Sequence, residues 1–185
     1  MPTTINPQIN PETAKSLLSK RPGLLRKQKR IIKIELFYLP SYLVRLSVRV
    51  KQNSEIVSLC IDGVEGRFAF YHESSQSEGE PGDGSTSPFV LDEDNIRQLA
   101  LSEYRRYLLR NNLMLRGRGH VEKIVDVKRV HYPFWLGFYR RRGKIDFDVL
   151  DAVGGEHQGA ALRSVFMKAL LAERPVEDEK HSPKQ

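Results

Sequence analysis

Period-two alternation dominates the first half of the chain. In "YLVRLSVRV", residues 42–50, Tyr42, Val44, Leu46, Val48 and Val50 share one face, while Arg45, Ser47 and Arg49 lie on the other. Such a pattern predicts a half-buried antiparallel strand. "KQNSE" then reads as a hairpin turn and "EIVSLCI" as the returning strand, with Val57, Leu59 and Ile61 inward. Asp62-Gly63 turns again into "GRFAFY". Further strands are predicted at 121–130 and 134–140, and another over 144–150 with Ile145, Phe147 and Val149 facing one way.

Helical periodicity marks three other segments. "NPETAKSLLSKRPG" offers Asn10 as an N-cap, Pro11 at the first helical position and Pro22-Gly23 as the stop. Asp92 caps a second helix over 93–112, where Ile96, Leu99, Ala100, Tyr104 and Tyr107 form one broad apolar face. A third helix, about 158–173, aligns Leu162, Val165, Phe166, Ala169 and Leu170.

Two stretches about ninety residues apart echo each other. "YLPSYLVRLSVRVKQNSEIVSLCIDGVEG" lines up with "HYPFWLGFYRRRGKIDFDVLDAVGG". Pro40 meets Pro133, Tyr42 meets Trp135, Asp62 meets Asp151 and Gly66 meets Gly155. The expected fold is therefore α+β: two related antiparallel β-hairpin/meander units, each followed by an α-helix, in a pseudo-twofold internal repeat packed as one small domain. Pro40 and Pro133 are expected to end a strand or sit at a bulge, since proline cannot donate to a ladder. Asp62, Gly66, Asp151 and Gly155 are expected to be structural turn residues, because Asp bonds its own backbone and Gly supplies positive φ.

The expected organisation is a short helix and basic arm over 1–30 and a first β unit over 31–72. A flexible acidic loop follows over 73–90. The second helix, second β unit and C-terminal helix span 91–174, and a disordered tail spans 175–185. The loop expectation rests on "ESSQSEGEPGDGSTSP", residues 73–88, which has no apolar side chain to offset its ordering entropy.

Composition narrows the class. The 185 residues are 39% apolar and 29% charged, as in an ordinary globular protein. No run approaches the ~18 apolar residues of a membrane span, no apolar core of a secretory leader is seen, and a cytoplasmic location is the expectation. Cys60 is the sole cysteine, so an internal disulfide and a cysteine-rich zinc site are ruled out. The net charge of +7 is uneven. Residues 73–94 hold seven acids and no base, whereas 105–144 hold twelve Lys or Arg against two acids.

Candidate chemistry is sparse. If the two halves pack about an axis, Asp62 and Asp151 would approach and could split their pKa values as an acid–base pair. None of His72, His120, His131, His157 and His181 forms a metal-binding pattern, no nucleophile motif is present, and no cofactor or metal is expected. The expected function is a non-catalytic binding or adaptor module acting through protein–protein contacts. Nucleic-acid binding is the alternative, through the hairpin tip Arg140, Arg141, Arg142 and Lys144, the loop residues Arg116 and Arg118, and the arm residues Lys27, Lys29 and Arg30. An enzyme with a site near the two Asp turns is the second alternative, and peripheral membrane contact is not expected.

Overall fold

The computed structural model describes residues 2–20, 29–71, 78–79, 83–111 and 118–172. In chain order the elements are β1 (Thr3–Ile5), α1 (Pro11–Ser19), β2 (Ile31–Val50), β3 (Asn53–Asp62), β4 (Phe68–Phe70), β5 (Glu78–Gly79) and β6 (Ser85–Thr86). Then follow α2 (Glu93–Arg110), β7 (Arg118–Arg141), β8 (Lys144–Asp151), β9 (His157–Gln158) and α3 (Ala160–Ala172).

These elements do not form two hairpin–helix units. The described residues are mostly antiparallel sheet, 49% strand against 27% helix, curled into a half-barrel with three helices. The expected α+β repeat fails because β2 and β7 pair with each other along their length, from Ile31–Tyr139 to Val50–Arg118. All nine strands thereby join one sheet. The two hairpins, β2–β3 and β7–β8, are attached to opposite ends of this central ladder.

Both prolines lie inside long strands rather than ending them. The outer edge of β2 pairs with β6 at Phe37 and Tyr38 and with β3 from Ser41 onward, so Pro40 falls in the gap between partners. Likewise the outer edge of β7 pairs with β1 at Val130 and His131 and with β8 from Phe134, leaving Pro133 in the gap. The Pro40 carbonyl accepts Gly63 N–H at 2.7 Å, and the Pro133 carbonyl accepts Ala152 N–H at 3.2 Å. A strand residue turns its nitrogen to the same side as its carbonyl. Each imide nitrogen therefore faces outward, where no ladder bond is lost. The strand expected to break between 130 and 134 runs straight through.

The sheet has two faces with different cover. On one, α2 lies over Tyr42, Val44, Leu46, Val48, Leu59 and Ile61, with Ile96, Ala100, Tyr104 and Leu108 buried beneath it. At the other end of that face, α1 buries Ala14 and Leu18 against Trp135, Tyr139 and Leu150. On the opposite face α3 places Val165, Phe166 and Ala169 on Phe37, Leu39, Phe134 and Phe147. Phe166 meets Phe37 and Phe134 edge-on, at 5.4 and 5.1 Å between ring centres, contacts worth about 0.5–1.5 kcal/mol each beyond burial. Past α3, that face carries Arg45, Ser47, Arg49, Ser54 and Ser58, alternating with the apolar positions under α2.

Helix starts follow the expected capping chemistry. Asn10 accepts Thr13 N–H and Asp92 accepts Asn95 N–H, both at 2.8 Å. Ahead of each cap the chain is pinned to an Asp turn: Gln8 and Ile9 donate to Ala152, and Val90 and Leu91 donate to Gly63. Trp135 Nε1 donates to Ile9 and Tyr42 Oη to Leu91, which gives the aromatic following each proline a polar task as well as burial.

Gly66 and Gly155 have φ of 77° and 73°, so alanine at either site costs about 1–2 kcal/mol of left-handed strain. A Cβ at Gly66 would also lie 2.5 Å from Leu99 Cδ1, against 3.4 Å from Ile9 Cδ1 at Gly155. Urea unfolding should therefore show Gly66→Ala to be the more destabilising of the two. Equal or negligible losses would contradict this reading of the turns.

Candidate functional site

Asp62 lies opposite Ser41 on the outer side of β2, and Asp151 lies opposite Phe134 on the outer side of β7. Between them the central ladder places Leu39 opposite Tyr132. All these side chains line one pocket of about 340 Å³ on the sheet face that α3 half covers. Its walls include Cys60, Tyr71, Phe134 and the start of α3 at Ala161 and Leu162.

Each aspartate is occupied by its own turn. Asp62 Oδ1 accepts Val64 N–H at 3.0 Å and Glu65 N–H at 2.6 Å, and Oδ2 accepts Arg67 N–H at 2.7 Å. Asp151 Oδ1 accepts Val153 N–H at 2.7 Å and Gly154 N–H at 3.0 Å, while Tyr132 Oη donates to Oδ2 at 3.1 Å. These are the local bonds expected of turn aspartates. The Asp62 turn is also tied to α3, since Glu65 takes Arg67, Ser164 and Lys168, which together hold its carboxyl below the ordinary range.

Burial sets the proton affinities here. It pushes the Asp62 carboxyl upward, outweighing the backbone N–H groups that favour its anion. The Cys60 thiol is pushed up to about 12, by burial first and then by the charges of Asp62 and Asp151. Burial and the Asp151 charge likewise raise the Tyr132 hydroxyl far above its usual range. A thiol held neutral at pH 7 is a poor nucleophile. A carboxylate accepting two or three backbone N–H bonds is a poor proton shuttle, so the arrangement suits binding better than bond breaking.

The basic candidates separate. Since Ile31 pairs with Tyr139, Lys29 and Arg30 lie at the same end of the ladder as the exposed tip Arg140, Arg141, Arg142 and Lys144. Lys29 is ion-paired with Asp148 and sits 4.4 Å from the Tyr139 ring centre, so its charge is already used. Arg141 reaches Asp146 at 3.8 Å. Arg142 and Gly143 form the two-residue turn, both at positive φ. Arg118 pairs with Val50 at the far end of the ladder. Arg116 and Lys27 lie outside the described residues, as do His72 and His181.

Among the described histidines, His131 stacks on Phe89 with ring centres 5.7 Å apart, and burial lowers its pKa. His157 Nε2 lies 3.1 Å from the Leu17 carbonyl. Among the described residues no three His, Cys, Asp or Glu side chains converge on a metal position, and no helix is long and apolar enough to cross a membrane.

Tyr132, Cys60 and Tyr71 were not singled out as site residues by sequence reasoning. Strand parity carries a signal for two of them: Cys60 alternates with Asp62, and Tyr132 with Phe134, so each shares a face with its neighbour two residues on.

Replacing the aspartates separates their roles. Asp62→Asn sets an amide donor against Arg67 N–H and should cost about 1–3 kcal/mol. Asp151→Asn sets its donor against Tyr132 Oη, a hydroxyl that can turn and accept, and should cost about 1 kcal/mol or less. Denaturant unfolding checks the order, and a larger loss for Asp151→Asn would overturn it. No family model, curated protein or solved structure matches the chain.

Proposed function

We propose that this protein is a non-catalytic binding module whose recognition site is the pocket between the two Asp turns. The observation that carries the reading is the state of the pocket's reactive groups. Asp62 and Asp151 are held by backbone donors, and Cys60 is neutral, while aromatic and apolar walls remain open to a guest. A concave, largely apolar site with a few convergent polar groups is the usual form of a ligand pocket, and this one lies at the small end of the size range. The entering group is either a small molecule or a side chain presented by a protein partner. A cytoplasmic setting belongs to the same proposal.

Catalysis has less support. An acid–base pair at Asp62 and Asp151 would need carboxylates free to exchange protons, and both are turn anchors. Nucleic-acid binding also has less support than one surface of three basic clusters would provide. The tip and Arg30 share one end of the ladder, whereas Arg118 lies at the other. The Lys29 charge is spent on Asp148.

Two-dimensional amide spectra recorded with a neutral apolar probe, benzyl alcohol, test the proposal. Shifts should concentrate on residues 39–41, 60–71, 132–134 and 158–162, and Ala161→Trp, which fills the pocket from α3, should abolish them. Shifts confined to the 140–144 tip, or none at millimolar probe, would count against the pocket as the binding site.

A further inference from the structure

The charge lining the pocket has the opposite sign to the protein as a whole. The chain carries +7, yet among the described residues Asp62, Asp151 and Glu156 line the pocket against one cation, Arg67. Arg67 is turned to other partners: its Nε donates to Glu65 at 2.9 Å and its Nη2 to Ser164 at 3.4 Å. Asp62 is 3% exposed, so its carboxyl is held largely away from water.

Each aspartate also keeps acceptor capacity. Among the described residues, Arg67 N–H donates to Asp62 Oδ2 and Tyr132 Oη to Asp151 Oδ2. A carboxylate oxygen has two acceptor positions, which leaves room on each for a further donor. Aromatic rings flank them. Tyr71 and Tyr132 lie 6.5 Å apart, and Tyr132 and Phe134 5.1 Å apart, between ring centres. A cation above such faces gains electrostatic attraction that grows as water is excluded. Burying these carboxylates further under a neutral guest would carry a desolvation cost that a cationic guest offsets.

We infer that the pocket selects a guest with an alkylammonium group beside an apolar body, the ammonium held by the pocket's carboxylates and the body lying on Tyr71, Tyr132 and Phe134. This rests on the pocket being the binding site and adds the chemical class of its ligand. The first turn of α3 works in the opposite sense. Its residues Ala161 and Leu162 line the pocket, and a helix start favours an anion. The two carboxyl groups outnumber that one helix end.

The test is titration of the full chain at pH 7 with benzylamine, benzyl alcohol and benzoate, read by the pocket amides. Benzylamine should bind at least tenfold more tightly than benzyl alcohol, and Asp151→Asn should shrink that ratio. Equal affinity for amine and alcohol would overturn the selectivity while leaving the pocket as a binding site. Tighter binding of benzoate would overturn it in favour of the α3 terminus. No pocket response to any of the three would remove both proposals. A capped Gly-Lys-Gly peptide compared with its acetyl-lysine counterpart identifies the source of the amine. Tighter binding of the unmodified peptide than of benzylamine supports a protein-borne lysine, and the reverse supports a free amine.

Discussion

The ladder between β2 and β7 runs from Ile31–Tyr139 to Val50–Arg118, and each strand carries a proline within it. A proline in a central strand removes a hydrogen bond that nothing replaces. Here each falls where the outer neighbour changes, β6 to β3 beside Pro40 and β1 to β8 beside Pro133. That single condition lets two long strands stay paired. It also brings the two Asp turns to one sheet face on either side of Leu39 and Tyr132, and so creates the pocket.

The same gaps organise the periphery. Gly63 and Ala152, next to the two aspartates, donate N–H to Pro40 and Pro133 and accept from the segments leading into α2 and α1. The turn that closes each hairpin therefore also aims a helix at the sheet. Glu65, within the Asp62 turn, holds α3 through Ser164 and Lys168. Backbone polar groups left free by the break in strand partners are used by the turns, as a buried sheet requires. The cost is borne at Asp62, whose carboxyl is buried, and a cationic guest would relieve it.

Local chemistry was legible in the sequence and long-range pairing was not. Alternation from Tyr42 to Val50 gave the strand and its buried face, and Asn10 and Asp92 cap the helices through side-chain rules that operate within a few residues. Both Asp-to-Gly spacings fall at turns, where Gly66 and Gly155 have positive φ. The matching motifs suggested two units. What they share is the bonding of a turn, and the pairing of β2 with β7 joins everything into one sheet. No local pattern announces that ladder. Pro133 even argued against it, because the direction of an imide nitrogen depends on neighbours far away in sequence. Two-residue strands such as β6 have no periodicity to detect. The basic residues were visible as clusters, but only the register shows that Arg118 and Arg140 lie at opposite ends.

Native-state hydrogen exchange, followed residue by residue, addresses the central claim, that one ladder runs unbroken past Pro133. The account predicts that ladder-bonded amides of β7 on both sides of Pro133 open together, in a single cooperative unit shared with β2 and at the free energy of global unfolding. Separate openings, one over 121–130 and another over 134–151, would contradict it.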